Sequence, residues 1–152
     1  IDLFNFMRPN DININTAVSS EESEKTLFFL SENNTQNTLS ENQLLFLKKH
    51  HNLRDEEIIK KKIQTRRLDK ILEENNFDNI DFMNLDVEGH ELEVLKTINF
   101  KKTKLKYICI EMINHNDLSI KNSHQILDIL KTNKFDQIKK FDFNYIFKNQ
   151  EF

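Results

Sequence analysis

Glycine and proline are almost missing from this sequence: among 152 residues, Gly89 is the one glycine and Pro9 the one proline. A GxGxxG dinucleotide turn or a GxxxxGKS phosphate loop needs at least two glycines, so neither lies within these residues. Cysteine is equally scarce. Cys109 stands alone, which excludes an internal disulfide framework and a Cys-based zinc site, and a reducing, cytoplasmic setting is expected. Neither sign of charge dominates: 22 Lys and Arg against 25 Asp and Glu give a net charge of −3. A nucleic-acid or membrane-surface binder would carry a strong basic excess instead. No run approaches the roughly 18–20 apolar residues of a membrane span, and the opening residues do not resemble a signal peptide. With glycine so rare, turns must be made by Asn and Asp, which tolerate left-handed backbone.

What is present reads as one domain. The first residue is Ile rather than Met, so the chain is expected to be a piece of something longer or a processed product. Asp2–Met7 has the look of a helix end, stopped by Pro9. Alternation predicts a strand over Ile12–Ser19 and a second over Lys25–Leu30, followed by a polar loop over Ser31–Asn37. Ser40–His50 reads as a short helix, Glu57–Thr65 as a strand and Leu68–Asn75 as a helix. The second half is more sharply patterned. Ile80–Val87 and Leu105–Ile113 are nearly continuous apolar runs of strand length, with a helix predicted between them over Glu91–Ile98. A helix over Ser119–Asn133 follows, then two strands, Lys134–Phe143 and Tyr145–Phe147, joined by a tight turn near Asp142–Asn144.

Strand, helix, strand, helix and strand pair is βαβ order, and apolar strands of this kind suit a parallel sheet covered on both faces. In such sheets ligands bind beyond the carboxyl ends of the strands. Asp86 ends the first apolar strand, and Glu111 lies near the end of the second. If those strands are neighbours, about 5 Å separates them. Glu88 and His90 flank Gly89 in the strand-to-helix turn. Acids and an imidazole there can bind a metal, hold a hydroxyl or act as a general base.

The stretch Asn84-Leu85-Asp86-Val87-Glu88-Gly89-His90-Glu91-Leu92-Glu93-Val94-Leu95-Lys96 resembles the central motif of the FkbM family of S-adenosylmethionine-dependent methyltransferases. Thr65-Arg66-Arg67-Leu68-Asp69 resembles that family's Thr-Leu-Asp entry to the preceding helix, with two arginines set into it. Tyr107-Ile108-Cys109-Ile110-Glu111 resembles its next strand, Arg8-Pro9-Asn10 through Ala17-Val18-Ser19 its third strand, and Asn144-Tyr145-Ile146-Phe147 its final strand. The resemblance implies a Rossmann-like α/β sheet, mostly parallel, with a C-terminal antiparallel hairpin. Residues 20–66 would be a hairpin-and-helix insertion in a single partial domain over 1–152. It implies methyl transfer from S-adenosylmethionine to a hydroxyl of a sugar or natural-product acceptor, with a divalent metal as an open possibility. Asp86 would stand nearest the methyl group, His90 or Glu88 would be the base, Glu111 would complete the catalytic set, and Ala17 and Val18 would lie against the adenine. The family's Gly-rich turn and the acid that holds the ribose are not found here, so an N-terminal remainder of the same domain is expected as partner. The alternative is a remnant or interaction module that keeps the fold without the cofactor.

Each of these residues also has a plainer role open to it. Asp86 can cap the following helix, and Glu88 and Glu91 can be ordinary first-turn acids. His90 can be a surface residue, Gly89 can simply ease the turn, and Glu111 can be satisfied by a salt bridge or backbone hydrogen bonds. His50, His51, His115 and His124 lack metal spacing and read as surface residues. Lys60-Lys61-Lys62 with Arg66-Arg67 reads as a solvated strand face, with acceptor phosphates as the rival ligand. Phe28, Phe29, Phe82, Phe141 and Phe143 read as core.

Overall fold

The computed structural model describes residues 1–30 and 37–152. The polar loop expected over Ser31–Asn37 therefore lies, apart from Asn37, outside the described residues. Two sheets organise the chain. The first has strand order β1-β3-β2, from β1 (Ala17–Val18), β2 (Glu24–Phe29) and β3 (Ile59–Arg66). The second has order β4-β5-β7-β6, from β4 (Asn79–Leu85), β5 (Lys104–Glu111), β6 (Phe135–Phe141) and β7 (Asn144–Asn149). Both are mixed. β1 pairs with β3, and β4 with β5, in parallel; β2/β3, β5/β7 and β6/β7 are antiparallel. The expectation of one mostly parallel sheet is corrected accordingly. Of the strand pairs in the second sheet, β4 and β5 are the pair joined through a crossover helix, and the antiparallel β6–β7 hairpin supplies the other half.

Helix α2 (Glu41–His51) begins where a polar cap allows it. The Ser40 hydroxyl accepts the Gln43 N–H at 3.2 Å, and Lys48, Lys49, His50 and His51 sit in the last turn, where the helix dipole favours cations. It packs Leu44 and Leu47 against Phe28, Leu30 and Ile58, forming a small core of its own. Helix α5 (Asp117–Thr132) opens with reciprocal Asn116–Ser119 bonds and buries Ile126 and Leu130 against the second sheet. The main core joins those residues to Leu92, Val94 and Leu95 of α4 (Glu91–Leu95) and to Leu105, Ile108 and Ile110 of β5. Helix α4 stops short of the predicted Ile98, because Thr97 and Ile98 close tighter i→i−3 bonds onto Val94 and Leu95. Helix α3 (Leu68–Glu74) matches its expected span closely, and α1 (Asp2–Met7) forms as expected but buries none of its side chains.

Several expectations are overturned. Within Ile12–Ser19, strand structure is confined to Ala17–Val18; among the described residues Ile12 and Ile14 have no strand beside them, and both are exposed. Phe82, Phe141 and Phe143 are exposed rather than core, Phe82 by 55%: β4 and β6 are the outer strands of their sheet, and Phe143 lies in the turn between β6 and β7. The solvated strand face expected of Lys60, Lys61 and Lys62 is observed, whereas Arg66 and Arg67 are half-buried and pair with Glu74 and Asp69. The turn chemistry fares better. Among the described residues, positive φ falls on Asn52, Asn76 and Asp142, as the shortage of glycine requires, and also on Lys134 and Glu88. No helix among the described residues is long and apolar enough to cross a membrane.

Candidate active site

The parallel register Asn84↔Cys109 and Leu85↔Ile110 carries the chain one step further to Asp86 and Glu111, side by side at the carboxyl ends of β4 and β5. Their carboxylates meet a third. Oxygens of Asp86, Glu91 and Glu111 all lie within 4.8 Å of one another. Glu91 is only 6% exposed and has a defined structural duty: its Oε1 accepts the N–H groups of Val87 (3.1 Å) and Gly89 (3.0 Å), closing the turn into α4. The plain first-turn role thus holds for Glu91, and its position adds to the cluster a carboxylate that sequence patterning did not single out as a site residue. Asp86 itself is exposed at the rim.

The turn takes an unusual backbone. Glu88 has φ 53° and Gly89 φ 87°, two successive left-handed residues. Two hydroxyl groups from the first half of the chain grip it: Thr38 donates to the Glu88 carbonyl at 2.6 Å, and the Ser19 hydroxyl bonds His90 Nε2 at 2.9 Å. Gly89 lies so close to α2 that a Cβ there would stand 2.8 Å from the Gln43 Cβ.

Like charges and burial set the acidities. Burial raises the Glu111 carboxyl from 4.5 to about 7, reinforced by Asp86, Glu88 and Glu91; every charge acting on it has the same sign. Burial also raises Glu88, with Asp86 and Glu91 adding to it. The Gln43 amide lies near enough to Glu88 to oppose that rise, yet its Nε2 reaches no acceptor at hydrogen-bonding geometry. Glu91 is raised by burial and held back by backbone N–H groups, its own and those of Val87 and Gly89. His90 is lowered by burial.

Of the expected catalytic residues, Asp86, Glu88 and Glu111 gather in one electrostatic unit. His90 does not point its bond into it: its partner is Ser19 at the end of β1, and the charges acting on it are Glu93 and Lys25. Val18 packs against the main core and Ala17 lines a groove on the first sheet with Leu27, Phe29 and Ile63, so Val18 has a packing role of its own. The expectation that His115 is a surface residue is corrected. Both its ring nitrogens are buried, and its imidazole stacks on Phe46 at 4.1 Å between centroids. Gln43, 2% exposed, is a second site neighbour that patterning missed. The only signal available was a polar residue on the apolar face of α2.

Chemically, three oxygens from three acids form a donor set of the kind hard divalent cations take, with Asp86 and Glu111 the freer members. The same arrangement, left to protons, gives a carboxyl poised near neutrality, the range in which a general base works best. Comparison with known proteins adds one finding. The sequence profile of the family described as Methyltransferase FkbM domain matches residues 3–145. Comparison with curated proteins and with solved structures gives no match.

Proposed function

Because the chain belongs to the FkbM methyltransferase family, we propose that it is an O-methyltransferase taking its methyl group from S-adenosylmethionine and passing it to a hydroxyl of a sugar or natural-product acceptor. The observation that carries this reading is the meeting of Asp86, Glu91 and Glu111 at the carboxyl ends of two parallel strands. When bound, S-adenosylmethionine supplies a sulfonium methyl whose leaving group is already in place. The protein's share is alignment and removal of one proton. Glu111, at about 7, suits the base role better than His90, which is tied to Ser19. Asp86 at the rim suits the acceptor hydroxyl, and the acidic mouth suits a cationic sulfur.

The nucleoside end is less well provided for. The one glycine is already packed on Gln43, so no glycine remains for a nucleotide turn. Among the described residues the outer edge of β4 has no partner strand, and an unpaired edge of this kind invites another strand. This supports a Rossmann-like sheet completed by strands outside these residues, which would also bring the nucleoside cradle. Calorimetry separates that reading from an intact site. The 152 residues alone should show no micromolar affinity for S-adenosylmethionine, and tight binding by them would remove the need for a further segment.

The test of function is Asp86→Asn in the full-length protein. It keeps the shape and removes the charge that holds the acceptor. Turnover should fall about 10²-fold with the fold intact by circular dichroism, the scale of a misplaced reactant. Near-normal turnover would take Asp86 out of the mechanism. Activity with and without a chelator decides between a cation and a proton at the three carboxylates.

A further inference from the structure

Helix α2 and the β5–α5 loop form an open groove of about 500 Å³. Leu45, Phe46, Lys49 and His50 line it from α2, and His115 and Asn116 from the loop. Three of these residues carry rings. Phe46 stacks on His115 at 4.1 Å between centroids and stands 5.5 Å from His50. Leu45 is 65% exposed, although Leu44 and Leu47 of the same helix are buried in the small core. Singly, an exposed leucine is ordinary; beside a wall of rings it makes a patch that a ligand can cover. The charge in the groove has one sign. Among the described residues no carboxylate lines it, and while Lys48 pairs with Asp55, Lys49 has no acidic partner. The carboxylates stand elsewhere. His115 also lines the small cavity beside Glu91 and Glu111, so the groove adjoins the acid cluster through that ring.

We infer that this groove is a second acceptor subsite, which holds an acidic sugar next in the chain to the sugar that is methylated. The inference rests on the methyl-transfer reading and narrows its acceptor to an oligosaccharide with an anionic residue. Two properties of the groove point to a sugar. A pyranose has an apolar C–H face that lies on an aromatic ring, and a rim of hydroxyls that stay in water. The groove offers the matching pair, with Phe46 and Leu45 as platform and solvent, Lys49 and His50 at the rim. A flat aromatic acid is better held in a closed slot that covers most of its surface, and this groove is open. Charge then decides which sugar sits here. Asp86, Glu88, Glu91 and Glu111 repel an anionic group from the methyl-transfer side, whereas Lys49 attracts it to the groove. A chain with one acidic and one neutral sugar is therefore held in one register, with the neutral hydroxyl toward Asp86.

Saturation-transfer NMR titrations of the full-length protein test this, with three probes: a glucuronic acid–glucose disaccharide, its neutral glucose–glucose counterpart, and 4-hydroxybenzoate. The acidic disaccharide should bind about fivefold more tightly than the neutral one, the scale of one exposed charge pair. Lys49→Gln should abolish that preference. Leu45→Ser should weaken both disaccharides about fivefold through lost apolar contact. Both side chains are exposed and lie outside the small core, so the fold should survive either change. Equal affinity for the two disaccharides, or a preference that survives Lys49→Gln, overturns the acidic sugar. Binding indifferent to Leu45→Ser overturns the groove as its site. Tighter binding of 4-hydroxybenzoate than of either disaccharide overturns the sugar assignment. Failure of the methyl-transfer reading shows differently: the full-length protein would pass no methyl group from S-adenosylmethionine to the bound disaccharide, while binding still depended on Lys49 and Leu45.

Discussion

Glu111→Gln will remove most of the methyl transfer and at the same time make the protein more stable above neutral pH. The activity loss is expected at about 10²–10⁴-fold, the usual contribution of a general base. The stability gain follows from where this carboxyl sits. The unfolded chain releases its proton near the ordinary 4.5, the folded protein only near 7. Between those values the native state binds more protons than the unfolded one, so stability declines as pH rises. The favourable contribution of the neutral acid is complete below about 4.5 and lost as pH climbs through 7. Above that, the native state carries a half-buried carboxylate facing Asp86, Glu88 and Glu91. Glutamine keeps the shape without the charge, and relief of a rise from 4.5 to about 7 is worth up to about 3 kcal/mol, reduced by whatever water reaches the group. Denaturant unfolding at pH 8 should show the gain and unfolding at pH 4 should not. An equal gain at both pH values would mean that packing, and not charge, explains it.

Gly89→Ala is the substitution expected to damage the fold most for its size. Two independent penalties apply. The residue sits at φ 87°, outside the comfortable range of any residue with a Cβ. The added methyl would also meet the Gln43 Cβ at 2.8 Å and its Cγ at 3.2 Å, both on the buried side of α2. Left-handed strain costs roughly 1–2 kcal/mol and overpacking a buried contact roughly 1–3 kcal/mol, so a loss of about 2–5 kcal/mol is expected in equilibrium unfolding. A loss below about 1 kcal/mol would show that α2 can back away from the turn. The preceding residue, Glu88, already bears strain of the first kind at φ 53°.

The half of the chain with continuous apolar strands was the legible half. Ile80–Val87 and Leu105–Ile113 announced themselves by composition, and their parallel pairing brought Asp86 beside Glu111 as expected. What escaped were features decided by distant partners. Ile12 and Ile14 alternate like strand residues, but alternation says nothing of whether a neighbour exists to pair with. Phe82 reads as core in sequence and lies exposed because its strand ends a sheet. Splitting into two sheets was equally hidden, since strand pairing is set across long sequence separations. The docking of α2 shows the same limit. Gln43 and His115 are 72 positions apart in sequence and meet through the docking of α2 on the β5–α5 loop, where Asn116 donates to Asn42 at 2.8 Å. No local pattern marks such a meeting. Glu91 was visible as a first-turn acid, but its near-complete burial was not.

Among the described residues, the segment between β1 and β3 holds the acid turn by few points. Ser19 reaches His90, Thr38 reaches Glu88, and Gln43 packs on Gly89. That segment builds its own small core and supplies β2, one of the three strands of its sheet. At the acid turn an engineer exchanging it for a homologous piece would have two hydroxyl anchors and one close packing contact to preserve, and beyond that turn the Asn116–Asn42 bond and the stack of Phe46 on His115. A library that varied the remainder of the segment could change what is bound while inheriting the carboxylates unaltered.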